Sequence, residues 1–165
     1  MRRLCLTLLC GLVAVPAALA ASRATGDGVL EIKDAAGIIV LNTTRGTVWG
    51  QLGKGKLVVN DPLSGDGTVY VSGAAPGSII RNAENVTTYR GTDLHFRVTG
   101  GKVRLWFKAL AGLDLTAVGV GSAQFTGDAF AVDAGDYAVD SGKWKPVPVY
   151  ATITVPFGVL PASAP

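Results

Sequence analysis

The sequence predicts an all-β protein, an antiparallel meander that forms a β-sandwich or flattened barrel. Three observations carry that expectation. Beyond the N-terminal apolar run, no stretch repeats apolar residues at helical spacing, whereas short alternating runs bounded by turn residues recur. Glycine is abundant, at 22 of 165 residues. Gly28, Gly37, Gly46 and Gly55 fall nine residues apart, each opening an apolar or β-branched run: VLEIK, IIVLN, TVWGQL and KLVVN. Such a period fits a strand of about five or six residues plus a short turn.

A repeat of this kind suits two architectures. In a meander the glycines sit in hairpin turns. In a β-solenoid two units form each coil. The run LHFRVTGGKVRLWFK, residues 94–108, favours the meander. Thr99-Gly100-Gly101-Lys102 reads as a hairpin turn, because glycine accepts positive φ at both central positions. Pairing 94–99 with 102–107 sets Val98 against Val103, Phe96 against Leu105 and Leu94 against Phe107. A slip of one residue would turn one strand's apolar set to water. The solenoid is the alternative.

The elements follow in order. Arg2 and Arg3, an apolar run from Leu4 to Ala20 and its Ala18-Leu19-Ala20 end read as a secretory signal peptide over 1–20. The run is short for a membrane anchor, and Pro16 interrupts it. Residues 21–165 are expected to form a single all-β domain with a frayed tail from about 160, where prolines deny the chain ladder hydrogen bonds. After the glycine repeat, further strands are expected at 68–72, 87–89, 113–118, 123–126, 130–132, 137–139 and 149–155. Residues 72–85 are less regular and suggest a longer loop. Asp140-Ser141-Gly142-Lys143 reads as a second hairpin turn. Outer-membrane strands need about 9–11 residues and aromatic girdles, so a membrane barrel is not expected.

Composition limits the chemistry. Both cysteines, Cys5 and Cys10, leave with the signal segment, so no disulfide holds the exported chain. The formal charge of +3 includes Arg2 and Arg3; without them 13 basic residues stand against 12 acidic ones. That balance gives no electrostatic case for a nucleic-acid partner. A single histidine, His95, rules out a histidine-rich zinc site. With no G-x-S-x-G elbow, no catalytic residue is assigned; Asp93, two residues from His95, is the nearest candidate partner. Asp128, Asp133, Asp136 and Asp140 cluster beside glycines, as do Asp27 and Asp66. Turn formation explains them better than calcium, since their spacing matches no calcium loop. No metal or cofactor is expected. Gly53-Lys54-Gly55-Lys56 lacks the helix that would make a phosphate cradle, and reads as a hairpin turn. Dispersed carboxylates acting on a glycan are the enzymatic alternative.

The outward residues of the 94–108 run are the candidate site. With Gly100-Gly101 as the turn, Arg97 would oppose Arg104, His95 would oppose Trp106, and Asp93 would oppose Lys108. Like charges in direct opposition destabilise a sheet. An anion, or a carboxylate from elsewhere in the chain, would relieve Arg97 and Arg104, and Trp106 would add a stacking face for a sugar. His95, Arg97, Arg104 and Trp106 are therefore the expected binding residues.

The elements RGTVWG (45–50), YRGTDLHFRVTGGKVRLWF (89–107), GLDLTAVGVGSAQFTGD (112–128) and YAVDSGKWKPVP (137–148) resemble a family of exported bacterial all-β proteins of uncharacterised role. The resemblance rests on glycine turns and core strands, so it implies a shared fold and supplies no catalytic residue. Together these readings lead us to expect a secreted or periplasmic, non-enzymatic domain with a structural or binding role at the bacterial cell envelope. Its partner would be an anionic envelope polymer or another envelope protein, with no integral membrane span after signal cleavage.

Overall fold

The computed structural model describes residues 24–63 and 65–159. The signal segment 1–20 and the tail from 160 lie outside the described residues. Seven strands run in order: β1 (Gly28–Asn60), β2 (Thr68–Ala83), β3 (Val86–Gly100), β4 (Val103–Gly127), β5 (Asp136–Val139), β6 (Lys145–Pro146) and β7 (Ile153–Phe157). All pairings are antiparallel, in the order β2-β3-β1-β4-β7 with β5 and β6 attached beside β1, and the sheet does not close into a barrel. Among the described residues there is no helix, hence none long and apolar enough to cross a membrane.

The all-β expectation holds, and so does the antiparallel pairing. The means is different. Gly37, Gly46 and Gly55 are not hairpin turns; β1 runs through all of them as one 33-residue strand. The register resolves this strand into four segments that alternate between two layers. One layer holds, side by side, β5, residues 28–35, 113–119, 46–52, 94–100 and 68–72. The other holds β7, residues 121–127, 37–43, 103–109, 55–60, 86–91 and 79–83. Thus β1 winds with the period of a solenoid, but its successive coils never touch as neighbours. Residues 113–119, running the opposite way, lie between 28–35 and 46–52. The result is a sandwich whose long strands bend from one layer into the other.

Glycine spacing sets where they bend. Gly28, Gly119, Gly46 and Gly100 are successive cross-strand partners along one edge of the sandwich, and Gly127, Gly37, Ala109, Gly55 and Gly91 along the other. At such a corner the backbones approach too closely for side chains. A Cβ on Gly46 would lie 2.2 Å from the Val118 carbonyl oxygen, and Gly46 has φ +137°.

Between the bends, alternation points Leu30, Ile32, Ile39, Leu41, Val48, Leu52, Leu57 and Val59 of β1 inward, all into one core cluster. The layers meet through aromatic rings. Phe96 touches Phe107 at 5.2 Å between centroids, and Phe125 stacks on Tyr137 at 4.8 Å. Both contacts join a residue of one layer to a residue of the other.

The glycine pair at 100–101 requires a correction. Segments 94–99 and 102–107 do not form a hairpin, because β3 pairs with β1 and β2 whereas β4 pairs with β1 and β7. Gly100, at φ +139°, instead carries the chain from one layer into the other. Alternation alone cannot separate these cases, since both bury Phe96 and Leu105, and both residues are buried. Four further expectations change. Gly53-Lys54-Gly55-Lys56 is a bend within β1. Residues 130–132 form a turn, not a strand, with Phe130 and Val132 in water. Of 149–155, only the end is strand, as β7. Residues 72–85 belong mostly to β2, whose register is interrupted between Ala74 and Ile79. The second hairpin turn is present: Asp140 and Ser141 take φ 52° and 60°, and the Gly142 N–H donates to the Val139 carbonyl at 2.9 Å.

Candidate functional site

Because 94–100 and 103–109 lie in opposite layers, their outward residues face opposite sides of the molecule. His95 and Arg97 stand on one outer face; Arg104 and Trp106 stand on the other. Arg97 and Arg104 are therefore not opposed, and the four expected binding residues do not form one site. Arg104 lines a cleft with Asn42, Asn60 and Lys102. Trp106 lies beneath the Lys56 ammonium, 4.5 Å from its ring centroid.

Neither arginine has a carboxylate partner among the described residues. Each is exposed, and each is far from the other in the ladder. Arg97→Ala and Arg104→Ala should therefore each change stability by less than about 0.5 kcal/mol, and their effects should add. Thermal melts of the single and double variants test this; a marked fall in the double variant alone would show hidden coupling.

The face that carries Arg97 is the better candidate. Tyr70 of β2, Arg97 of β3, Trp49 of β1 and Thr116 of β4 are successive cross-strand partners. In the next row stand Ser72, His95, Gln51 and Asp114. All eight are on the same face because residues two apart along a strand point the same way. They lie over the buried side chains of Val48, Leu52, Leu94, Phe96 and Leu115, which fixes their outward direction. Tyr70, Trp49, Arg97, His95, Gln51, Asp114 and Thr116 line a shallow depression of about 540 Å³. An exposed guanidinium thus sits between two aromatic residues, with amide, imidazole, carboxylate and hydroxyl groups beside it.

Asp93 organises one end of this face. It takes the left-handed conformation, φ 62°, and its Oδ1 lies 3.2 Å from His95 Nε2 while accepting a hydrogen bond from Gln51 Nε2. Asp114 is anchored too, since its Oδ1 accepts from the Asp34 N–H at 2.9 Å. These contacts pre-position polar groups without consuming Arg97.

Ser72 is the cross-strand partner of His95, so Ser, His and Asp stand side by side. They do not form a catalytic relay. Among the described residues Ser72 makes no hydrogen bond to the imidazole, and the side chains of His95 and Asp93 are 54% and 66% exposed. Water screens such a pair, and a relay needs the base held against the nucleophile.

Of the clustered aspartates, Asp128 and Asp133 cap local turns, whereas the Asp140 carboxylate reaches across to the start of β1. Asp128 Oδ1 accepts from the Phe130 N–H, Asp133 Oδ1 from the Gly135 N–H and Asp140 Oδ1 from the Val29 N–H, at 3.0, 2.9 and 2.8 Å. Asp27 Oδ2 caps the Ala24 N–H and its Oδ1 pairs with Arg45 at 3.0 Å.

Comparison with protein-family models, with curated proteins and with solved structures gives no match.

Proposed function

We propose that this protein is a secreted, non-enzymatic binding domain of the bacterial cell envelope, and that it holds an anionic glycan on the face containing Trp49, Tyr70 and Arg97. One observation carries the reading: Arg97, without a carboxylate partner among the described residues, lies in register between two aromatic side chains over an open depression. Aromatic rings stack on the apolar faces of sugars, and a guanidinium forks onto a carboxylate or sulfate. Gln51, His95 and Thr116 add hydrogen-bonding groups for hydroxyls. The secretory-type N-terminus supports the location.

A glycan hydrolase is the less supported reading. Its paired carboxylates would have to be gathered at a deep site. Here the depression is shallow, Asp114 is the one carboxylate lining it among the described residues, and Asp128, Asp133 and Asp140 are engaged by backbone N–H groups elsewhere.

The test is calorimetric titration with acidic and neutral polysaccharides, together with a reducing-sugar assay. The expected result is binding to an acidic polymer with no release of reducing ends. Arg97→Ala should weaken it about tenfold or more, as loss of one charge-assisted contact does. Trp49→Ala should weaken it similarly. Binding that survives both substitutions, or release of reducing ends, would overturn the proposal.

A further inference from the structure

The opposite outer face carries a stronger concentration of charge. Arg90 of β3, Lys56 of β1 and Lys108 of β4 are direct cross-strand partners in one row. Lys54, two residues before Lys56, joins them around a cleft of about 350 Å³. Among the described residues none of these cations pairs with a carboxylate, and no acidic residue lines the cleft. Like charges in direct opposition work against the folded sheet. The chain nevertheless places them on three adjacent strands.

A second cleft, of about 390 Å³, shares Lys108 and Leu110 with the first and is lined by Ile38 and Phe130. The exposed apolar residues here are Ile38, Leu110 and Phe130, with Val132 two residues farther along the same turn. Phe130 is 99% exposed and Val132 fully so, which leaves the loop tip wholly in water. That tip is nonetheless built. The Asp128 carbonyl and Oδ1 accept from the Ala131 and Phe130 N–H groups, and Asp133 Oδ1 accepts from the Gly135 N–H. Asp128 is the one acidic residue lining the second cleft, and its Oδ1 is already engaged by that turn.

We infer that this side of the molecule docks on an anionic lipid bilayer: Lys54, Lys56, Arg90 and Lys108 receive phosphate headgroups, and Phe130 with Leu110 enters the interface. The pairing of the two clefts selects the occupant. A soluble polyanion would satisfy the cations and leave the aromatic tip in water. A neutral apolar partner would bury the tip and leave the cations unmatched. An anionic membrane surface answers both, because basic groups are drawn to its headgroups while apolar side chains enter the headgroup–acyl boundary. The ordered turn presents Phe130 at low conformational cost. Trp106, under the Lys56 ammonium, holds that cation over the sheet.

The experiment is co-sedimentation of residues 21–165 with vesicles. This segment contains every described strand and omits the apolar N-terminal run, which would partition by itself. Vesicles of phosphatidylcholine alone are compared with an equimolar mixture containing phosphatidylglycerol. Retention on the mixed vesicles only, reversed by salt, is expected. The double variant K56Q/K108Q should weaken partitioning about 25-fold, roughly fivefold for each cation removed. Its melting point should stay close to that of the parent, since relief of the opposed charges offsets the loss of the Lys56–Trp106 contact. In F130W the emission should shift to the blue on mixed vesicles. Arg97→Ala, on the other face, should leave retention unchanged, which separates this site from the glycan face. Retention that ignores K56Q/K108Q, an unshifted F130W, or no retention at all would overturn the inference. So would charge-dependent binding to alginate without binding to vesicles, which would assign the cleft to a polymer.

Discussion

Gly46→Ala should lower the stability of the protein by roughly 2–6 kcal/mol, enough to unfold much of a domain of ordinary stability. Two costs add. The first is conformational: Gly46 sits at φ +137°, which an L side chain rarely adopts. The second is steric: the new Cβ would meet the Val118 carbonyl oxygen at 2.2 Å and the Gly119 Cα at 2.9 Å. Neither neighbour can yield, because both are backbone in the middle of the ladder. Gly119 has the reciprocal problem, with its own Cβ 2.2 Å from the Arg45 carbonyl. A control at Gly77 makes the test specific. Gly77 also has positive φ, +77°, but nothing lies within 4 Å of its would-be Cβ. Gly77→Ala should therefore show the conformational cost alone, about 1–3 kcal/mol. Denaturant midpoints that rank the two substitutions equally would remove the corner-packing argument.

The glycine period was thus the most informative signal in the sequence, and it was ambiguous in one respect. Nine-residue spacing marks where the chain must change direction, at Gly37, Gly46 and Gly55. It does not say whether the change is a reversal within a sheet or a bend between layers. Both leave alternation intact and bury the same residues; Leu30, Ile39, Val48 and Leu57 are core in either case. The deciding fact is which distant segment fills the gap between coils of β1. Residues 113–119 do so, and no local pattern in that run names its partners. The turn at Asp140-Ser141 was legible because its chemistry is local, two adjacent residues that tolerate positive φ.

The candidate face was half legible for the same reason. His95 and Arg97 could be assigned outward from the alternation of 94–99. Their partners could not be assigned, because the strands that flank them come from residues 46–52 and 68–72. Trp49 in TVWGQL and Tyr70 in TVYVS carry a usable signal: each is an aromatic at the outward position of an alternating run. Only the register shows that both border Arg97. The same lack of register hid the opposed cations. Like charges do stand in direct opposition, but the residues that meet are Arg90, Lys56 and Lys108, drawn from three strands.

Phe96→Ala should cost about 3–5 kcal/mol, and the way it couples to Phe107 tests the layered architecture itself. Phe96 is 3% exposed and Phe107 fully buried, in strands of different layers. Their rings meet at 5.2 Å with an interplanar angle of 47°, a tilted contact across the middle of the core. Truncating either opens a cavity that neither layer can close, since each is tied by ladders on both sides of the affected strand. The alanine double variant would not stay folded, so the cycle is run with Phe96→Leu, Phe107→Leu and both together. Leucine keeps most of the volume and removes the ring–ring contact. A coupling of about 0.5–1.5 kcal/mol is expected from denaturant midpoints, the range for an aromatic pair. In a flat hairpin, Phe107 would instead have stood beside Leu94, with Phe96 diagonal to it on the same sheet. Coupling indistinguishable from zero would place the rings apart and contradict the bend at Gly100 that carries the chain between layers. Coupling in the expected range, with Phe96→Ala destabilising as stated, is what two inner faces packed against each other require, with Arg97 and Lys108 then directed outward on opposite sides.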